Sequence, residues 1–144
     1  MSEAKKLINE LLVDIFNRIL AIEGEELKQA GVTLSMNEVH VLEAVQLVEE
    51  PSMTYIAQKL GITVGSLTTA VNTLYQKGYV TRYRLPEDRR KVLIRLEDNA
   101  KEVLKIHQVY HDKMIDAIFE DLKVNEDEVL INSLSKVASY FKIK

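Results

Sequence analysis

The chain has no cysteine and no tryptophan, and only two prolines and five glycines in 144 residues. Without cysteine there is no disulfide framework, no thiolate metal site and no thiol nucleophile, which fits a protein of the reducing cytoplasm. So little Gly and Pro, with no low-complexity tract and no repeat at solenoid periods, leaves no flexible linker and predicts one continuous folded unit. No run approaches the roughly 20 apolar residues of a membrane span. The N-terminal MSEAKKLINELLVDIFNRIL scatters charges through its apolar positions and so lacks the core of a signal peptide. A soluble, cytoplasmic protein with no membrane partner is expected. HExxH, a Gly-rich phosphate loop and a nucleophile elbow are also missing, so no enzyme is expected. The one remote catalytic option is a metal-dependent hydrolase on His107, His111 and an acid. It would need an open coordination position and a general base that nothing in the chain supplies.

What the chain does have is a core and a charge asymmetry. At 47% hydrophobic it can bury a sizeable interior without staples. Between positions 77 and 95, Lys77, Arg82, Arg84, Arg89, Arg90, Lys91 and Arg95 face only Glu87 and Asp88, a local +5 in a chain of net charge −3. The remainder is correspondingly acidic. Clustered Lys and Arg neutralise phosphates, while an acidic body limits unspecific adhesion. One face is built for nucleic acid.

Periodicity orders the elements. Residues 4 to 29 place Leu7, Ile8, Leu11, Leu12, Ile15, Ile19, Leu20 and Ile22 at three-to-four spacing, predicting an amphipathic helix that Gly31 can end. Ser35 and Glu38 form a capping-box pattern that opens a second helix through about Leu47, with Val39, Val41, Leu42 and Val45 on its buried side. Pro51 breaks the chain, Ser52 or Thr54 caps a short helix ending at Leu60, and Gly61 supplies a tight turn. Thr63 caps a fourth helix that Gly78 stops. Alternation then replaces the helical period: Tyr79, Thr81, Tyr83 and Leu85 against Val80, Arg82 and Arg84, then a Pro86-Glu87-Asp88 turn and a return strand through Val92, Ile94 and Leu96. Helical spacing resumes from Glu97 to about Lys123, and Asn125 with Glu128 begins a last helix through Phe141.

The fourth helix buries Leu67, Ala70, Val71 and Leu74 and spreads Gly65, Ser66, Thr68, Thr69, Asn72 and Gln76 over its other sides. Small polar side chains let a helix roughly 22 Å long enter a major groove, where Thr, Ser and Asn reach base edges and thymine methyls. Alone, such a face is more often plain solvated surface. A short helix, a Gly turn, the polar-faced helix and a basic hairpin in immediate succession favour the groove. Arg82, Arg84 and Arg95 flank the strands, while Arg89, Arg90 and Lys91 gather at the tip, where Arg can enter a narrow minor groove. Asp88, two residues before Arg90, can hold that guanidinium extended.

With these residues in view the chain resembles the MarR family of winged-helix transcription regulators over essentially its whole length. The resemblance is carried by IAQKLGITVGSLTTAVNTLYQKGYV and by PEDRRKVLIRL, whose Asp88-Arg89-Arg90 is similar to the family's wing-tip signature. It implies a mostly α fold with a small β-hairpin wing, a winged helix-turn-helix in a MarR-like dimer. Residues 33–96 would form the winged unit, 97–123 a long connecting helix, and 1–30 with 124–144 the dimerisation helices. Carried over, Thr63, Gly65, Ser66, Thr68, Thr69 and Asn72 match the recognition segment and Arg90 the wing arginine. The chain departs from the family's Leu-Thr-x-x-Gly pattern after Leu96, with Glu97 for Thr and Ala100 for Gly. A pair also follows from the residues themselves, because the apolar faces of 7 to 22 and of Leu130, Ile131, Leu134, Val137, Phe141 and Ile143 exceed what a small core covers. A twofold protein implies a pseudo-palindromic operator with half-sites about one turn, ~34 Å, apart.

Two inputs are expected. LLVDIFNRILAIEGEELK, LSMNEVH and ITVGSLTTAVNTL resemble the fatty-acid-synthesis repressor branch of the family. That resemblance implies long-chain acyl-acyl carrier protein as corepressor and an apolar tunnel, for which Ile15, Ile19, Ile22, Val39, Leu42, Met114 and Ile118 are candidates. Any one of them is more simply read as core. The alternative input is zinc: His107 and His111, at i and i+4, lie on one helix face, with His40 or Glu23, Glu25 or Glu26 as third ligand. Zinc-responsive MarR members resemble this pattern, and so does the fatty-acid branch. A purely structural interaction module, the remaining class, predicts no salt-sensitive duplex binding.

Overall fold

In the computed structural model, which describes residues 2–122 and 127–141, the N-terminal apolar stripe forms one helical run in three parts. These are α1 (Glu3–Asn9), a wider π-type stretch (Glu10–Ile15) and α2 (Phe16–Gln29). The expected helix is therefore present, with its middle turns widened from i→i+4 to i→i+5 bonding. Ser2 caps its start. The chain divides into two compact units, Met1–Gln108 and Val109–Lys144.

The first unit holds the winged helix-turn-helix. Ser35 and Glu38 complete a reciprocal capping box, so α3 (Met36–Leu47) begins with its first donors satisfied. Of the two caps considered for α4 (Met53–Leu60), Ser52 serves: its Oγ accepts the Tyr55 N–H at 3.2 Å. Gly61 turns the chain at φ +67°, a left-handed conformation that costs other residues about 1 kcal/mol or more. Thr63 then caps α5 (Val64–Gln76), which Gly78 ends at φ +83°.

Strands β1 (Val80–Leu85) and β2 (Asp88–Leu96) pair antiparallel from Val80 opposite Leu96 to Leu85 opposite Asp88, with an irregularity between Tyr83 and Leu85. The hairpin is tied to the segment before α4. Ser52 bridges Leu93, and the Ile94 N–H donates to the Pro51 carbonyl at 2.9 Å.

Val39, Leu42, Ile56, Leu67, Val71, Leu74, Val80 and Ile94 are each at most 1% exposed and draw α3, α4, α5 and the hairpin into one core. At roughly 1.5–3 kcal/mol per fully buried side chain, this packing fixes which face of α5 looks outward. Ala70, expected inside, is only half-buried at its edge.

Helix α6 (Asp98–Leu122) starts where the sequence predicts. The Glu97 N–H donates to the Tyr79 carbonyl at 2.9 Å, and Ala100 is fully buried against the core, so the departure from the family's pattern leaves the helix start intact. In the second unit, α7 (Glu128–Tyr140) is capped by Asp127, whose Oδ1 accepts the Leu130 N–H at 3.0 Å. The expected start at Asn125 lies outside the described residues, as do Lys123 and Ile143. Among the described residues no helix is long and apolar enough to cross a membrane.

Candidate nucleic-acid interface

The N-terminal half of α5 presents the expected polar surface. Thr63, Gly65, Ser66, Thr68, Thr69 and Asn72 are all exposed. Thr63 Oγ1 accepts the Ser66 N–H at 3.1 Å and donates to Ser66 Oγ at 3.0 Å. Thr68 and Thr69 donate their hydroxyl protons back to the carbonyls of Val64 and Gly65, at 2.8 and 3.4 Å. With those protons engaged, each of these exposed threonines is left with a methyl group and an accepting oxygen to offer a partner. A methyl suits thymine, and an acceptor suits the amino groups of adenine and cytosine. A Cβ added at Gly65 would come no closer than 3.9 Å to another atom, so Gly65 keeps the surface low without being sterically required.

The basic residues are not equivalent. Lys77 donates to Glu38 at 3.0 Å and to the Thr33 carbonyl at 3.3 Å. Lys91 is paired with Glu50 at 3.2 Å, and that hydrogen bond, more than the attraction alone, raises its pKa above the usual 10.5. Arg84 donates to the Arg89 carbonyl and so braces the hairpin tip. The guanidinium of Arg95 sits 4.5 Å from the Tyr83 ring centroid, and that of Arg82 donates to Asn72 Oδ1 while lying 5.5 Å from the Tyr75 ring centroid. Arg89 is exposed at the tip. Arg90 projects into solvent, its side chain 92% exposed although Asp88 Oδ1 accepts its Nε–H. That bond, joined by the Arg90 backbone N–H, pulls the Asp88 carboxyl below its usual 3.8.

The local +5 is thus partly spent inside the protein. Glu38, Glu50, Tyr75 and Tyr83 are the residues that sequence reasoning missed. Glu38 and Glu50 lie 39 and 41 positions from their lysines, so no local spacing signals them.

The effector candidates separate. Val39 and Leu42 are packed in the core; Ile15 and Ile22 are exposed, and Ile19 is half-buried. In the second unit Met114 is half-buried and Ile118 exposed. As for the metal candidates, His107 is buried, its Nε2 lies 3.3 Å from a Glu43 carboxylate oxygen, and its ring meets that of His40 edge-on at 6.4 Å. Of the three acids considered as third ligand, Glu23 is the buried one, and it offers a ligand atom within 4.8 Å of one on His107. His111 follows one turn later on α6.

A MarR-family sequence profile matches residues 34–92, the span from α3 into the second strand of the hairpin. The transcriptional regulator SarZ of Staphylococcus haemolyticus is 32% identical over 111 residues, 74% of this chain and 71% of that protein. The crystal structure of Streptococcus pneumoniae FabT in complex with DNA superposes with a TM-score of 0.83 at 28% identity, covering 96% of this chain and 97% of that one. The S. aureus MepR–DNA complex shares the fold, with a TM-score of 0.75 at 19% identity over 92% of this chain and 96% of that one.

Proposed function

This chain belongs to the MarR family and is a DNA-binding transcription regulator, and on that premise we propose that it is a homodimeric repressor of a pseudo-palindromic operator. Helix α5 would enter the major groove and the Asp88-braced Arg90 the flanking minor groove. The observation that carries this reading is Arg90, solvated at a hairpin tip yet held in place by a carboxylate at its base. The pairing of two chains is supported by the exposed apolar side chains Leu7, Ile8, Leu11, Leu12 and Phe16 in the first unit and Ile131, Leu134 and Phe141 in the second. Fluorescence anisotropy with the chain's own promoter duplex tests the reading. Operator affinity falls steeply with salt, on the order of 0.9 logarithmic units per phosphate contact, and exceeds random-duplex affinity by about 10³ or more. A complex with neither property removes the proposal.

For the effector, the resemblance of the first helical run and of α5 to the fatty-acid-synthesis repressor branch supports long-chain acyl-acyl carrier protein as corepressor. Titrating acylated and unacylated carrier protein into the operator complex distinguishes an acyl-dependent gain in affinity from none. Zinc is the second reading. It is supported by Glu23 and His107, a buried carboxylate and imidazole within reach of each other, with His111 one turn on. Zinc content after dialysis decides it: a stoichiometry near zero with unchanged operator affinity ends this reading.

A further inference from the structure

Arg82 does not stand in solvent as a phosphate ligand would. It shares a strand face with Val80, which is 1% exposed, and pairs opposite Ile94, also 1% exposed, so its stem runs back over α5 instead of away from it. There it meets two residues of one helix face, Asn72 and Tyr75, at i and i+3. Its Nη2 donates to Asn72 Oδ1, and its guanidinium carbon lies 5.5 Å from the Tyr75 ring centroid.

The chemistry of this contact fixes the orientation of the Asn72 amide. The oxygen and nitrogen of an asparagine amide are nearly interchangeable by shape. Arginine has only donors, so the atom facing it must be the oxygen. The Asn72 amino group is therefore turned away from Arg82, on an exposed side chain of α5. A free asparagine can pair with adenine by accepting from N6 and donating to N7. Asn72 has one lone pair of its oxygen taken by a cation and its amino group turned away from Arg82, which favours donation over the two-way pairing with adenine.

We propose that Arg82 is a specificity-positioning residue: by holding the Asn72 carbonyl it makes this point of α5 a reader of base acceptors, such as guanine N7 and O6, and ties the wing to the recognition helix. The inference rests on the operator-binding reading above. It separates two roles for one arginine, since a phosphate ligand contributes to every sequence alike, whereas a positioning residue acts only through Asn72.

The test uses the full chain as wild type, Arg82→Ala, Arg82→Met, Asn72→Ala and the Arg82→Ala/Asn72→Ala double variant. Each is bound to duplexes with one half-site position varied through the four bases, and to random duplex over a salt series. Arg82→Met keeps an apolar stem on Tyr75 should Arg82→Ala fail to fold. The expected result is a change on the order of tenfold in the guanine-to-adenine ratio at one position, the same position for Arg82 and Asn72 variants. The double variant matches the Asn72 single variant, and the random-duplex salt slope is unchanged. A uniform loss on all sequences with a slope lower by about one, additive with Asn72→Ala, overturns the proposal and makes Arg82 a phosphate contact. Unaltered base preference in the Arg82 variants overturns it as well. Absence of salt-sensitive binding by the wild type would instead reject the operator reading itself.

Discussion

Asp88 Oδ1 accepts two hydrogen bonds from the same residue, the backbone N–H of Arg90 at 3.1 Å and its Nε–H at 3.2 Å. One carboxylate oxygen thereby sets both the turn and the direction of the guanidinium, leaving its terminal nitrogens for a partner. Arg90→Ala should lower the salt slope of operator binding by about one unit and weaken the complex on every sequence. Its thermal midpoint should hold, because an exposed tip residue carries no core. Severe destabilisation would overturn the assignment. Asp88→Asn should retain part of the affinity. The Asp88 pKa is lowered, so its brace is fully present above 3.8 and is lost only as pH falls through the depressed value. Asp88 therefore stays ionised from about pH 5 to 8, and its titration should add no pH dependence to operator affinity across that window.

The Glu50–Lys91 pair argues in the opposite direction from a simple count of basic residues. Lys91 is held by Glu50 with its pKa raised, so the tie persists through neutral pH and is lost only in alkali as pH rises through the folded value. Glu50→Ala should free that ammonium and remove a nearby negative charge. Random-duplex affinity should rise about two- to fivefold with a steeper salt slope, measured by anisotropy at low salt. Weaker binding would mean that the pair positions the wing and that Lys91 is not withheld.

Ser52 joins the two halves of the DNA-binding unit: it caps α4 and bridges Leu93 of the wing, and it is 6% exposed. Ser52→Ala should cost about 1 kcal/mol, read from urea unfolding, and Ser52→Thr should recover most of it. Thr54→Ala should be near neutral. The reverse order would assign the cap to Thr54.

That cap illustrates what could be read from the sequence. Ser35 with Glu38, Thr63, Gly61 and Gly78 act within four residues of themselves, so spacing alone placed α3, α4 and α5 correctly. The sequence left Ser52 and Thr54 undecided because both stand before the same apolar run; the Tyr55 N–H bonded to Ser52 Oγ separates them, and the wing's bridge holds Ser52 in place. The widened turns at Glu10–Ile15 were equally hidden, since i, i+3 and i+4 apolar spacing is compatible with either bonding pattern. At the interface, the exposed face of α5 was legible from its period, and Asp88 with Arg90 from their proximity. The partition of the other cations among Glu38, Glu50, Asn72 and the tyrosines depends on which elements pack together. Val39 and Leu42 show the same limit: an apolar residue at helical spacing announces burial, which both have in the core, but not against what.

The last prediction concerns the N-terminal run, where Leu11, Leu12 and Phe16 are 46%, 46% and 55% exposed in the single chain. Leaving so many large apolar side chains in water, at about 25 cal/mol per Å², is tolerable only if another surface covers them. Leu12→Glu should weaken pairing about thirtyfold or more, seen as a monomer by sedimentation at micromolar concentration. The core of the first unit lies away from Leu12, so helical content should be retained. Two further readouts separate lost pairing from a damaged fold. The wild-type melting temperature should rise with protein concentration while that of the variant does not, because only a paired chain gains stability by mass action. Operator affinity should collapse toward that of a single half-site, whereas affinity for random duplex should fall far less. A wild type that sediments as a monomer with a concentration-independent melt would remove both the pairing and the palindromic operator that depends on it.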